Sequence, residues 1–205
     1  MTLTRVALSA TAALLLAACA SAPSTPAGPT APSGVVTPPA GPIGNVVPLP
    51  SAEPPPRPSL GLFSRIKAPG SVEPAFELAA TGVQIFRCEP DQNGFHWVFR
   101  LPEAELRDNR GHVLAHHGTG YSFEHADGSR LVGSIVGYDS ADHGDSVPWL
   151  LLQMRSYGQG EFEKVGYVQR IDTEGGMPPA QCSADQVNQI LRVPFSANFV
   201  FYRPH

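Results

Sequence analysis

Val83-Gln84-Ile85-Phe86-Arg87-Cys88, then Asn93-Gly94, then Phe95-His96-Trp97-Val98-Phe99, decide the fold class of this chain. The first run is dense in β-branched and aromatic residues. Asn-Gly is a strong turn signal because both residues tolerate positive φ, and the second run alternates aromatics with His and Val. Together they predict an antiparallel hairpin with a loop longer than two residues. Outward from it the pattern repeats. Asp108-Asn109-Arg110-Gly111 is a turn leading into His112-Val113-Leu114-Ala115-His116, and Asp127-Gly128 separates Tyr121-Ser122-Phe123-Glu124 from Leu131-Val132-Gly133-Ser134-Ile135-Val136. Trp149-Leu150-Leu151-Leu152-Gln153-Met154 is apolar without alternation, as a strand buried on both faces would be. Val165, Tyr167 and Gln169 alternate with Gly166, Val168 and Arg170, and near the end Phe195, Ala197, Phe199 and Phe201 fall on one face with period two. Ser183 followed by Gln186 is a capping-box spacing and predicts one short helix near residues 184–190. Strands do not alternate with long amphipathic helices, so a doubly wound α/β fold is not expected. The expectation is all-β: an antiparallel β-sandwich or barrel of short strands with one short helix near the C-terminus.

That domain occupies residues 60–205, long enough to bury a core. The chain before it has a different character. Residues 20–58 are mostly Pro, Ala, Ser, Thr and Gly, with Glu53 and Arg57 as the only charges. Such a segment has too little bulky apolar surface to offset chain entropy, and its prolines favour extended geometry. It reads as a tether, about 120 Å long if fully extended and nearer 35 Å as a coil. Residues 1–18 read as a signal peptide: one positive charge at Arg5, then an apolar run too short to span a bilayer comfortably. The leader closes on Leu16-Ala17-Ala18-Cys19, which resembles the lipobox of bacterial lipoproteins. The resemblance implies cleavage before Cys19 and several acyl chains on that residue. One chain holds a protein only marginally, whereas several would anchor it firmly. Ala20, where an Asp would signal retention, implies the outer membrane by the same resemblance. The expected location is the bacterial cell envelope, lipid-anchored at the outer membrane and facing the periplasm.

Three cysteines are an awkward number for an exported protein, and lipidation of Cys19 resolves it. Cys88 and Cys182 are then free to pair in an oxidising compartment, the alternative being two buried thiols. A bridge closing a loop of that size contributes up to about 4–5 kcal/mol in the chain-entropy view. With 14 Lys and Arg against 18 Asp and Glu, a net charge of −4 and no basic run, the chain is not built for nucleic acid. The same balance gives no basic surface for a second membrane contact beyond the lipid anchor.

Candidate chemistry is sparse. His112, His116, His117 and His125 lie close in sequence beside Glu124 and Asp127, but no His-Glu-x-x-His helix or Cys-x-x-Cys pair fixes a metal site. Gly120-Tyr121-Ser122-Phe123-Glu124 lacks the closing Gly of a nucleophile elbow. Glu103 with Glu105, and Glu161 with Glu163, would repel on one strand face and suit a rim. Asp139, Asp142, His143 and Asp145 match no calcium loop, and residues 173–179 read as a turn or rim loop. Aromatics are more informative. Trp97, Trp149 and Tyr167, with Phe99 and with His117 beside them, are candidates for an aromatic-lined ligand pocket, against the plainer alternative of core packing. No catalytic, metal or cofactor residue is assigned.

In order along the chain, these segments resemble the domain-of-unknown-function family 3455, found in exported bacterial and fungal proteins. The resemblance rests on the run from Gly82 to Cys88, Trp97-Val98-Phe99, Pro102-Glu103-Ala104-Glu105-Leu106 with Gly111, Asp127-Gly128-Ser129, and Pro148-Trp149-Leu150-Leu151-Leu152. It continues through Gly166-Tyr167-Val168-Gln169-Arg170 with Thr173, Gly175 and Gly176, then Cys182, Val193-Pro194-Phe195 and Phe201-Tyr202, spanning residues 72–202. The chain departs from the family between His117 and Glu124, where the family tends to show His and then Gly-Pro-Thr-Trp. Some fungal relatives carry a malate dehydrogenase label, but no Gly-x-Gly-x-x-Gly follows a strand here to hold a dinucleotide. The leading expectation is an envelope lipoprotein presenting a β-domain that binds a partner, a cell-wall component or a small molecule. The alternative is an exported hydrolase or metal-dependent enzyme using His117 and neighbouring carboxylates.

Overall fold

The computed structural model describes residues 54–205; the leader, Cys19 and most of the Pro-rich tether lie outside the described residues. Eight strands run β1 (Val72–Asp91), β2 (Gly94–Arg107), β3 (Val113–Gly118), β4 (Ser122–His125), β5 (Arg130–Asp139), β6 (Trp149–Tyr157), β7 (Tyr167–Gly175) and β8 (Ile190–Pro204). Each pairs antiparallel with the next, and β8 returns to β1 to close a barrel. Sandwich or barrel is thereby resolved in favour of the barrel, which leaves no free edge to aggregate, and the expectation of short strands is corrected for β1, β2 and β8, which run 20, 14 and 15 residues as they wrap around it. The opening hairpin forms, but its loop is corrected from longer than two residues to two, Gln92 and Asn93, because the strands stay paired beyond the runs that the sequence marks. Cys88 faces Trp97, and the ladder reaches Asp91 opposite Gly94. At Gly82 a Cβ would stand 2.1 Å from the Glu103 carbonyl, so β2 approaches β1 more closely than any side chain permits.

Alternation fills the interior. Phe195, Ala197, Phe199 and Phe201 all join one buried cluster with Leu78, Leu106, Phe123, Leu131, Leu152, Phe162 and Val168. Phe76 stacks on Phe201 at 4.6 Å, and Phe123 meets Phe199 edge-on at 5.2 Å. The exterior carries exposed ion pairs, among them Arg192 with Glu103 and Arg87 and Arg100 with Glu89. Rings fill the inside of the barrel and ion pairs stand on its outside, whereas a membrane porin has a polar interior.

A second cluster lies outside the barrel wall. Residues 54–71 cross it as a strap, with Ile66 fully buried against Val72, Leu151, Ile171, Val200 and Tyr202, flanked by Trp149 and Tyr167. Gln169, also buried here, donates its amide to the Ile66 carbonyl and accepts from the Tyr202 hydroxyl. The strap presses on β5 at Gly137, where a Cβ would meet the Arg65 carbonyl at 2.2 Å. Leu150 and Leu152 therefore face the interior while Leu151 faces the strap, which is why that run is apolar throughout.

The expected short helix near residues 184–190 is corrected to a single 3-10 turn, Ala184–Gln186. Its capping box is present, Ser183 with Gln186, but the chain leaves helical geometry at once, with φ 67° at Asn188. The cause is tethering. Cys182 is joined to Cys88 in a disulfide, and Cys88 exchanges backbone hydrogen bonds with Asn188 (2.9 Å) and Gln189 (3.0 Å). Between those fixed points and the start of β8 at Ile190 only one turn fits.

Candidate ligand site at the barrel mouth

At one end of the barrel the interior changes from apolar to polar. Gln84 from β1, Pro102 and Phe99 from β2, His117 from β3, Tyr121 from the turn before β4 and Arg170 from β7 line a pocket of about 170 Å³, with Phe86, Val147, Pro148 and Met177 completing its wall. Each polar group is brought inward by strand phase. Arg170 follows Val168, and His117 follows Ala115, on the core-facing side of their strands.

His117 is 3% exposed, stacked on Phe123 at 4.4 Å and edge-on to Phe199 at 5.3 Å. Its Nδ1 lies 2.9 Å from the Ser122 carbonyl. Burial is the main cause that pulls its pKa down to about 4, and the Arg170 charge adds to it against the opposing hydrogen bond to the Ser122 carbonyl. The ring is neutral at physiological pH. A neutral ring beside a carbonyl must donate from Nδ1, which leaves the Nε2 lone pair as acceptor.

Arg170 is 6% exposed. Both its Nε (3.2 Å) and Nη2 (2.8 Å) donate to the Pro148 carbonyl, and among the described residues no carboxylate pairs with it. Burial lowers its pKa to about 10, opposed by the Tyr121 phenol nearby, so it stays charged. A buried cation answered by one carbonyl is an unfinished interaction. Gln84 is unfinished too: it is 3% exposed, and its side-chain Nε2 is buried with no hydrogen-bond partner. The backbone closes over it at Gly176. There φ is +91°, and a Cβ would sit 2.8 Å from Val147 and 3.2 Å from the Gln84 side chain. Phe86 and Phe99 meet edge-on at 5.7 Å and form an aromatic wall.

The rim is pinned. Met177 N–H donates to the Asp145 carbonyl (3.1 Å), Cys182 N–H to the Phe95 carbonyl (3.1 Å), and the Cys88–Cys182 disulfide staples the same connection to β1. Of residues 173–179, read as a turn or rim loop, 173–175 are the end of β7, and Met177 from the remainder lines the mouth.

Of the five residues named for an aromatic pocket, Phe99 and His117 meet at the mouth and the other three do not join them. His117 lines the mouth. Trp149 and Tyr167 pack outside the wall beneath the strap, and Trp97 is half-buried opposite Cys88 on the hairpin. Nor do the histidines cluster. His112 precedes β3 and pairs with Asp108 at 3.1 Å; His125 sits against Asp127 at 3.0 Å and Phe162. His116 lines a shallow outer groove with Glu103, Glu105 and Arg192. Among the described residues no three metal-ligating side chains converge. Sequence reasoning missed Gln84, Tyr121 and Arg170. The available signal was phase: a polar residue standing two places from an apolar one on the buried side of a strand.

Compared with known proteins, residues 69–203 match the family model described as protein of unknown function (DUF3455), and the chain belongs to that family. Neither the curated proteins nor the solved structures give a match.

Proposed function

We propose that this DUF3455 member is a lipid-anchored binding protein of the bacterial envelope, held through Cys19 and carrying its barrel on a tether that runs from residue 20 to the strap, with the mouth pocket as its ligand site. One observation carries the binding role: a buried glutamine amide with no hydrogen-bond partner among the described residues lines the same pocket as a buried arginine that only the Pro148 carbonyl answers. Native structures rarely leave such groups unanswered, because each costs about 1–3 kcal/mol. A bound small molecule supplies the missing acceptors. The geometry favours binding over hydrolysis. The Nδ1 of His117 is committed to a backbone carbonyl, and among the described residues the charge acting on the ring is that of Arg170. A general base needs an orienting acid or an ionisable nucleophile beside it.

The location rests on the leader. In cells, Cys19→Ala should move the protein from the membrane fraction to the soluble fraction, and firm retention of that variant would defeat the lipid anchor. For the pocket, the nitrogen-labelled full chain is titrated with a mixed set of small acids, alcohols and amines. The Gln84 side-chain amide signals should shift with some of them. Shifts confined to the outer wall, or ester hydrolysis abolished by His117→Ala, would overturn the binding role.

A further inference from the structure

Resting on the binding role proposed above, we infer that the mouth pocket is a carboxylate site for a small single-ring acid: the carboxylate meets Arg170 and the Gln84 amide, and the ring lies against Phe86, Phe99 and Met177. Three features of the pocket select this chemistry.

The first is charge. Arg170 brings one full positive charge inside the barrel, and among the described residues no carboxylate answers it. Two of its N–H groups go to one carbonyl, which leaves donors of the planar fork available, and that fork matches a carboxylate in shape. His117 adds no second charge, because it is neutral. The pocket therefore balances a single negative charge and is undercharged for a phosphate dianion.

The second is donor placement. Gln84 Nε2 offers two N–H groups and finds no acceptor among the described residues. It lines the same pocket as Arg170 and the Tyr121 side chain. The ligand head must accept hydrogen bonds from both, which excludes an ammonium and disfavours a hydrocarbon.

The third is size and lining. About 170 Å³ is close to the roughly 150 Å³ of an apolar cavity that holds benzene. Beyond the polar groups the wall is Phe86, Phe99, Pro102, Val147, Pro148 and Met177. An inorganic anion would leave that wall bare, and a dinucleotide or an oligosaccharide would not enter.

The test uses the full lipidated chain in lipid nanodiscs, with empty nanodiscs as the blank, and fluorine NMR of 4-fluorobenzoate as probe. 4-Fluorobenzyl alcohol is the neutral counterpart and inorganic phosphate the plain anion. The acid should bind at least tenfold more tightly than the alcohol, and phosphate should not displace it. Arg170→Met should weaken the acid on the order of 10- to 100-fold while leaving the alcohol unchanged. Should that variant fail to fold, Gln84→Leu serves, with a several-fold loss for the acid alone. Equal affinity for acid and alcohol, or full displacement by phosphate, would overturn the inference. If neither fluorinated probe binds while other small molecules still shift the Gln84 amide, the carboxylate assignment falls and the binding role stands; if nothing shifts that amide, both fall.

Discussion

Neutralising the titration of His117 should flatten a pH dependence of stability that the barrel interior imposes. In the unfolded chain the imidazole titrates near its ordinary value of 6.5; in the folded protein burial holds it at about 4. Between those values the unfolded state binds one proton more than the native state. Stability therefore rises with pH there, by about 1.4 kcal/mol per pH unit. The full contribution, about 3 kcal/mol, is present above the unfolded pKa and is lost as the pH falls through the folded one. Glu77 works the other way. Its pKa is raised by partial burial and by Asp172, so near its own titration the native state holds the extra proton. Asp127, held low by hydrogen bonds from Ser129 and Glu161, acts from the ordinary aspartate pKa downward, where stability falls with pH. His117→Phe keeps a ring on Phe123 and removes both the titration and the hydrogen bond to Ser122. Urea unfolding from about pH 4.5 to 7.5 isolates the effect as the difference between the two proteins. The variant should be less stable at neutral pH by about 1–2 kcal/mol, and the gap should close or reverse toward the acid end. Parallel curves would refute the reasoning, because they would mean that the imidazole protonates freely in the folded barrel.

Three further perturbations test other parts of the structure. Replacing both Cys88 and Cys182 by Ala opens a loop spanning 94 positions and should cost up to about 4–5 kcal/mol in urea midpoints; an unchanged midpoint would show that the bridge does not constrain the chain. Ile66→Ala empties a fully buried site under the strap and should cost about 2–4 kcal/mol, whereas a change below about 0.5 kcal/mol would mean that residues 54–71 are not part of the cooperative unit. Gly176→Ala forces a Cβ against Val147 and Gln84 at positive φ, and should both destabilise by about 1–3 kcal/mol and abolish the Gln84 amide shift with ligand; a fully bound, fully stable variant would contradict the close approach.

The strands were legible because each buries one face. Phe195 to Phe201 alternate in the sequence and alternate in the barrel, and the first hairpin turns close to the Asn-Gly pair, at Gln92-Asn93 with Gly94 opening β2. Closure was not legible. The pairing of β8 with β1 joins residues more than a hundred positions apart, and local periodicity carries no information about it. The strap was equally hidden: its anchors Leu60, Ile66 and Ala68 are spaced among exposed residues and show neither strand nor helix period. The helix expectation failed for a tertiary reason. A capping box specifies how a helix begins, and the disulfide decides how far this one can run.

The site escaped for a different reason. Aromatic residues draw attention in a β-sequence, yet here they fill space: Trp149 and Tyr167 seal the outer wall, and the phenylalanines fill the inner layers. An eight-stranded barrel has an interior just wide enough for its own side chains, so a packed barrel of this size has no room for a ligand except where the filling stops. It stops at the layer of Gln84, His117 and Arg170. Leucine or methionine at those positions would remove the desolvation cost of the charge and pack the end of the barrel, as replacement of buried ionic groups by hydrophobes often does. The chain instead keeps a cation and two polar groups there, rests His117 on the top phenylalanines, and brings the rim down over Gln84 through a glycine at positive φ. A domain that can fill its core with rings everywhere else is not short of hydrophobes. The polar layer is best explained by what it leaves unsatisfied, and that is an acceptor for Arg170 and the Gln84 amide.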